Sequence, residues 1–128
     1  MLDHIGLRTT QFDTLLAFYK ATLEPLGYAV MMQYPDTAGF GREYPDFWIG
    51  ADQKAGSNIH LAFKASDRSV VDAFYAAALA NGGSDNGAPG LRDYTPNYYA
   101  AFVIDPDGNN LEVVCMQESL DLPEEGRC

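Results

Sequence analysis

Hydrophobic and polar positions follow two different periods along this chain, and together they predict alternating strands and helices. Thr10 is a candidate N-cap for a first helix, because it precedes apolar residues spaced three and four apart. These apolar positions are Phe12, Leu15, Leu16, Tyr19 and Leu23. Pro25 and Gly27 are expected to end the helix. Short apolar or alternating runs predict strands over residues 2–7, 28–34, 38–42, 46–50, 59–64, 98–104 and 111–116.

The second half contains a further helix and two contrasting connections. Ser66 or Asp67 is expected to begin the helix, which runs to about Ala80 and stops at 81–83. Residues 84–97 are rich in Gly, Asp and Pro, and we expect a long loop there. Asp105-Pro106-Asp107-Gly108-Asn109 predicts a turn, because proline fits early in a turn and glycine fits where φ is positive.

The chain also repeats itself. Shifting the sequence by 56 positions places His4 on His60 and gives seven identities over the 24 positions from His4 to Gly27. Such a repeat indicates two copies of one supersecondary unit. We therefore expect one α+β domain over residues 1–128, made of βαβββ modules at 1–57 and 58–117 and a solvated acidic tail at 118–128. The curved mixed sheet would surround one cleft, with the helices outside.

Composition narrows the class of partner. The formal net charge of −10 disfavours binding to nucleic acid and to anionic membranes. No apolar run approaches the ~20 residues of a transmembrane helix, and the N-terminus lacks the pattern of a secretory signal. Two cysteines form no disulfide framework. These features predict a cytoplasmic protein whose partner is a small-molecule substrate.

Strand parity brings particular side chains onto one face. Side chains alternate across a strand, so in the first strand of each copy a histidine, His4 or His60, lies opposite the large apolar residues. In the last strand the same rule places Glu112 on the open face, and Trp48 occupies the matching place in the first copy. Because two facing copies bring equivalent positions together, we expect His4 and His60 to be neighbours.

Two histidines and one carboxylate on a shared surface are a metal-ligand set. They suit Zn, Fe, Mn, Co or Ni ions and leave positions open for substrate. Two other interpretations remain: the histidines are buried and hydrogen-bonded, or Glu112 is a surface acid on an edge strand. The apolar neighbours of Glu112 favour a central strand, where an unpaired carboxylate would be costly without a cation.

These features resemble the vicinal oxygen chelate superfamily, which contains the glyoxalases, bleomycin resistance proteins and extradiol dioxygenases. The resemblance covers about residues 1–116 and rests on the paired modules, Asp3-His4-Ile5-Gly6, Ala17-Phe18-Tyr19 and the Asp-Pro-Asp-Gly-Asn-Asn-Leu-Glu sequence at 105–112. The chain looks most like the small glyoxalase-like proteins related to lactoylglutathione lyase. The resemblance implies a divalent metal ion held by His4, His60 and Glu112, with Glu112 doubling as a base and adjacent substrate oxygens chelated by the metal.

One departure limits the activity expected. Glyoxalase I usually has a further carboxylate ligand where this chain has Trp48, and few basic residues are available for the carboxylates of glutathione. We therefore expect a metal-dependent lyase or isomerase other than true glyoxalase I. A non-catalytic small-molecule binding or resistance protein is an alternative. An extradiol-type dioxygenase is another, although no histidine is left over for acid–base chemistry.

Four further residues are candidates for substrate binding. Trp48 is either core or a wall for a planar ligand, and Arg92 is the best cation for an anionic substrate group. Tyr98 and Tyr99 have opposite parity, so one of them is expected to face the pocket unless it packs in the core. The modules can pair within one chain or across a dimer, and a homodimer with shared clefts is favoured.

Overall fold

The computed structural model describes residues 1–117 and contains two βαβββ modules. The first module comprises β1 (Ile5–Thr9), α1 (Phe12–Thr22), a 3-10 turn (Glu24–Leu26), β2 (Ala29–Tyr34), β3 (Thr37–Gly41) and β4 (Pro45–Ala51). The second comprises β5 (His60–Lys64), α2 (Arg68–Ala80), β6 (Ser84–Arg92), β7 (Tyr98–Ile104) and β8 (Asn110–Cys115). The predicted α+β class and module order are confirmed, and the predicted tail at 118–128 lies outside the described residues.

Each module forms its own four-stranded mixed sheet. The strand orders are β1-β4-β3-β2 and β5-β8-β7-β6. The first and last strands of each module pair in parallel, and the remaining neighbours are antiparallel. Glu112 therefore lies on β8, an interior strand between β5 and β7, and the interpretation of Glu112 as a surface acid on an edge strand is wrong.

Two local predictions are wrong. The N-cap of α1 is Gln11 and not Thr10, because the hydroxyl of Thr9 accepts the N–H of Gln11 at 3.0 Å and the helix starts one residue later. The predicted loop at 84–97 contains β6, which pairs with β7 along Ser84–Arg92. The pairing register shifts on both sides of Gly87, so this strand has no regular alternation.

The helices and the helix-facing sides of both sheets form a single hydrophobic core. Leu111 and Val113 of β8 lie in this core, as strand parity predicts. The rings of Phe47 and Phe63 meet edge to face across the two modules, with centroids 5.6 Å apart. In the described part of the chain, neither helix is long and apolar enough to cross a membrane.

The turn before β8 is held by one buried carboxylate. Asp105 is 3% exposed, and its Oδ1 accepts the backbone N–H groups of Asp107 and Asn109 at 2.8 and 3.0 Å. Its Oδ2 accepts the side-chain amide of Asn109 at 3.0 Å and the hydroxyl of Tyr19 from α1. Burial, followed by the nearby Asp105 charge, raises the pKa of Tyr19 well above its usual value. The neutral phenol therefore ties α1 to the turn.

The same turn aligns β8 with β5. The side-chain oxygen of Asn109 accepts the backbone N–H of Ile59 at 3.1 Å, and the backbone N–H of Asn110 donates to the carbonyl of Ile59 at 2.8 Å. This alignment places Ala62 opposite Glu112 in the parallel pair. The sequence that carries most of the resemblance is thus a structural clamp that sets the position of Glu112.

Candidate functional site

The open face of the second sheet collects the polar side chains of the candidate site. Register pairs Glu112 with Phe102 on β7, and Tyr98 with Arg92 on β6. Paired positions project to the same side of a sheet, and so do positions two apart along a strand. His60, Glu112, Tyr98, Phe102 and Arg92 therefore share one face.

His60 and Glu112 are in direct contact. The Nε2 atom of His60 lies 3.0 Å from Oε1 of Glu112, while its Nδ1 atom lies 3.2 Å from the backbone carbonyl oxygen of Asn110. The glutamate side chain is only 3% exposed, whereas that of His60 is 53% exposed. The imidazole also stacks on the ring of Phe102, at 6.3 Å between centroids and 19° between planes. The exposed imidazole of His60 therefore covers the buried carboxylate of Glu112.

The hydrogen-bond partners of His60 define what can sit between the two side chains. A carbonyl oxygen only accepts, so Nδ1 must carry a hydrogen to satisfy it. Nε2 then faces a carboxylate oxygen with either a second hydrogen or a lone pair. The contact needs either a proton, shared between imidazole and carboxylate, or a cation that both can ligate.

Tyr98 holds the other oxygen of the carboxylate. Its hydroxyl donates to Oε2 of Glu112. Desolvation and this hydrogen bond to a charged group raise the pKa of Tyr98 to about 12, so the phenol stays a donor at neutral pH. Tyr99 lies on the opposite face, where its hydroxyl donates to Asp72 of α2 at 2.7 Å and Arg68 covers its ring at 4.9 Å. Of the two candidates, Tyr98 contacts Glu112.

Arg92 lies on the site face but is engaged internally. Its guanidinium donates to the carbonyl oxygens of Gly90 at 2.8 Å and Ala88 at 3.0 Å. It also lies over the ring of Phe102, 5.3 Å from the centroid. These contacts make Arg92 a brace between β6 and β7, and its predicted role as the cation for an anionic substrate group stays a prediction.

His4 lies on the first module with a different set of partners. Its Nδ1 atom is 2.8 Å from Oδ1 of Asp3, and the same oxygen accepts the hydroxyl of Tyr44 at 2.7 Å. These two hydrogen bonds hold the pKa of Asp3 below its usual value. The His4 side chain is 58% exposed, so the interpretation of this histidine as a buried structural residue does not apply. With Nδ1 directed at a carboxylate, Nε2 is left for another partner.

A cavity of about 380 Å³ extends from His4 along the open face of the first sheet. Trp48 lines it, paired in register with Gly6 and Gly39. The indole Nε1 donates to the carbonyl of Pro45 at 3.2 Å. Trp48 is therefore half-buried, anchored at one edge and in contact with the cavity.

The structure brings two of the three predicted metal ligands together. His60 and Glu112 are adjacent, but across residues 1–117 no three His, Cys, Asp or Glu side chains form a group that could hold a metal ion. His4 therefore does not complete the set within one chain. Sequence reasoning also missed the contributions of Asp3 and of the Asn110 carbonyl; the position of Asn110, two residues before Glu112, was an available signal.

Comparisons with known proteins identify the fold and the family of the chain. None of the curated protein sequences matches the chain significantly. A solved glyoxalase/bleomycin resistance protein from Albidiferax ferrireducens is 28% identical with a TM-score of 0.81, covering 91% of this chain and 99% of that one. A glyoxalase/bleomycin resistance protein/dioxygenase family enzyme from Burkholderia phytofirmans is 19% identical with a TM-score of 0.71, over 90% and 98% of the two chains.

The bleomycin resistance determinant encoded on transposon Tn5 shares the fold. It is 20% identical with a TM-score of 0.62, over 88% of this chain and 95% of that one. The sequence profile of one superfamily matches residues 1–113, nearly the whole described chain. With paired βαβββ modules and this match, the chain belongs to the Glyoxalase/Bleomycin resistance protein/Dioxygenase superfamily.

Proposed function

We propose that this protein is a divalent-metal-dependent lyase or isomerase that acts on a small substrate with two adjacent oxygens. His60 and Glu112 supply one half of the metal site, and His4 of a second copy supplies the other half. The observation that carries the proposal is the 3.0 Å contact between Nε2 of His60 and Oε1 of Glu112.

The donor set fits a metal ion. Two ligand atoms about 2.1 Å from one ion, at angles of 90–110°, are about 3.0–3.4 Å apart. The observed 3.0 Å separation agrees with this range. The Asn110 carbonyl accepts a hydrogen bond from the N–H at Nδ1, which leaves Nε2 free to ligate, as outer partners of metal-bound histidines do. Tyr98 engages Oε2 and leaves Oε1 on the same side as Nε2.

The residues of the chain then have distinct tasks. When bound, a divalent ion would supply Lewis acidity toward the two substrate oxygens. Glu112 is the base that moves a proton between adjacent carbons, because it is the buried carboxylate on this face. Tyr98 donates a hydrogen bond that keeps the carboxylate oriented, and Phe102 supports the imidazole ring of His60.

A non-catalytic binding protein is the second candidate. The observation that favours it is Trp48, an aromatic side chain at the first-module place that matches Glu112. An indole contributes no charge or proton transfer, but it offers a large flat surface to a ligand. A protein of this kind would bind the small molecule in the same place without turnover.

Metal binding tests the proposal. Protein without a histidine tag is titrated with Zn, Ni, Co, Mn and Fe(II) ions, with metal content and melting temperature as readouts. At a free metal concentration of about 100 Kd, the stabilisation is about 2.7 kcal/mol. For a chain of this length that is a rise of about 10 °C. His60→Ala should abolish the rise, whereas Tyr99→Phe, on the opposite face, should keep it.

Mixing two inactive variants tests the shared site. His4→Ala and His60→Ala each damage both sites of a dimer. A mixed dimer, with one variant of each kind, has one site with both histidines and one site with neither. Half of the dimers in an equimolar mixture are mixed after subunit exchange, so about a quarter of the metal-binding capacity of the unaltered protein should return. No recovery would contradict a site built across two copies. No metal binding by the unaltered protein would overturn the metal proposal itself and favour the binding protein.

A further inference from the structure

We propose that the ligand of this protein is a planar, conjugated anion that lies on Trp48 and directs its carboxylate to Arg8. The inference rests on the proposed function because His4 lines the same cavity as both residues. It adds the chemical class of the substrate and a residue that selects it.

The floor of the cavity is flat. Three positions on the open face of the first sheet are glycines, Gly6, Gly39 and Gly50, and Trp48 lies among them. A Cβ atom at Gly39 would lie 2.8–2.9 Å from three atoms of the indole, so the ring rests directly on this backbone. The indole Nε1 of Trp48 donates its hydrogen bond to the Pro45 carbonyl. The face left toward the cavity is therefore apolar and planar, and it suits stacking by a flat ring.

Arg8 supplies a cation at the edge of this floor. It lines the cavity and shares the strand face of His4 and Gly6. Its nearest carboxylate, Asp52, is 3.7 Å away, and both side chains are largely exposed, so the pair is weak. Arg92 differs, since two carbonyls and a ring hold its guanidinium. Arg8 is thus the better placed of the two to bind a carboxylate.

The repeat supports a role for this charge. The shift of 56 positions that aligns His4 with His60 also aligns Arg8 with Lys64. Both modules therefore place a cation four residues after the histidine, on the same strand face. The chain has more acidic than basic residues and a net charge of −10, so a basic residue at this position in both modules is unexpected from composition alone. The two basic residues favour an anionic ligand group.

Distance along the strand limits the size of the ligand. Four residues of β-strand separate the Cα atoms of His4 and Arg8 by about 13 Å, and long side chains shorten the gap between their functional groups. The cavity of about 380 Å³ is within the range of small-ligand sites. One ring or two fused rings, with the carboxylate at one end and the adjacent oxygens at the other, satisfies both limits.

Trp48 is the only tryptophan in the chain, so its fluorescence reports on this cavity alone. The probe is 4-nitrobenzoate, a planar anion that quenches indole on contact. We expect saturable quenching of the full chain in the absence of metal. Two comparison probes, neutral 4-nitrobenzyl alcohol and non-planar cyclohexanecarboxylate, the latter followed by calorimetry, should bind about tenfold more weakly or worse.

Variants separate the charge from the stacking. Arg8→Gln should weaken 4-nitrobenzoate about tenfold and leave 4-nitrobenzyl alcohol unchanged. Arg42→Gln makes the same charge change at another exposed arginine of the first module. It should leave the affinities for 4-nitrobenzoate and for 4-nitrobenzyl alcohol unchanged. Equal affinity for the acid and the alcohol, or no effect of Arg8→Gln, would overturn the role of Arg8. Equal affinity for cyclohexanecarboxylate, or no quenching, would overturn the planar ligand.

The two proposals can fail separately. Quenching by 4-nitrobenzoate is measured with a chelator present, whereas metal binding is measured without any organic ligand. Metal uptake with no quenching would remove the ligand class and leave the metal site. Quenching with no metal uptake would leave a binding protein for planar anions, the second candidate function.

Discussion

Replacing Tyr19 with phenylalanine tests whether the buried turn network stabilises the molecule. The substitution removes only the hydroxyl that donates to Oδ2 of Asp105. The ring contacts with Phe18 and Phe47, at 5.0 and 4.9 Å between centroids, are kept. A hydrogen bond to a charged group contributes about 1.5–3 kcal/mol. Oδ2 keeps the Asn109 amide, so we expect a loss of about 2 kcal/mol.

Chemical and thermal unfolding measure this loss. A chain of this length has an unfolding entropy of about 0.27 kcal/mol per kelvin, so about 2 kcal/mol lowers the melting temperature by about 7 °C. Urea unfolding followed by circular dichroism should show a lower midpoint with an unchanged slope. Asp105→Asn should cost more, about 3–5 kcal/mol, because an amide nitrogen at Oδ2 would face two donors.

The matched control is Tyr75→Phe. Tyr75 also donates its hydroxyl to an aspartate, Asp85 at 2.9 Å, but this pair is exposed. We expect a change within about 0.5 kcal/mol there. Equally small losses of stability for Tyr19→Phe and Tyr75→Phe would refute a special contribution of the buried Asp105 network. A double-mutant cycle of Tyr19→Phe with Asp105→Asn should give a coupling of at least about 0.5 kcal/mol.

Two further predictions concern the site faces. The raised pKa of Tyr98, about 12, means that its stabilising bond to Glu112 is complete below about pH 10 and is lost as pH rises toward 12. Tyr98→Phe should therefore flatten the fall in stability over that interval and remove one late-ionising group from an ultraviolet phenolate titration; an unchanged titration would contradict the assignment. Gly39→Ala should displace the Trp48 ring, shift its emission and destabilise by about 1–3 kcal/mol, whereas Gly6→Ala, whose Cβ would meet Trp48 at 3.8 Å, should do little.

Sequence periodicity was sufficient for most of the fold because the repeated modules have regular apolar faces. The parity of β8 correctly placed Leu111 and Val113 in the core, with Glu112 on the other face. β6 escaped prediction for a physical reason. Its pairing with β7 is interrupted at Gly87, so no alternation marks it, and hydrogen bonds to a neighbouring strand define it instead. The hydrophobic pattern of one segment does not reveal the strand with which it pairs.

The candidate site was predictable only where one strand pair determined it. His60 and Glu112 share a face through the register of β5 with β8, and parity was enough to bring them together. The position of His4 depends on how whole modules pack, within one chain or between two, and the repeat has the same form in both cases. The choice between Tyr98 and Tyr99 depended on which face of β7 packs against α2, and the sequence left this open.

The clamp at Asp105 has a consequence for how the molecule folds. Three contacts join the first half of the chain to the second. They are the hydrogen bonds from Tyr19 to Asp105 and from Gln11 to Asp107, and the ring contact of Phe47 with Phe63. Each half therefore lacks part of the interior that would keep it compact by itself. The duplicated segment is a unit of sequence, whereas the cooperative unit of folding is the joined pair, and both halves should melt in a single transition.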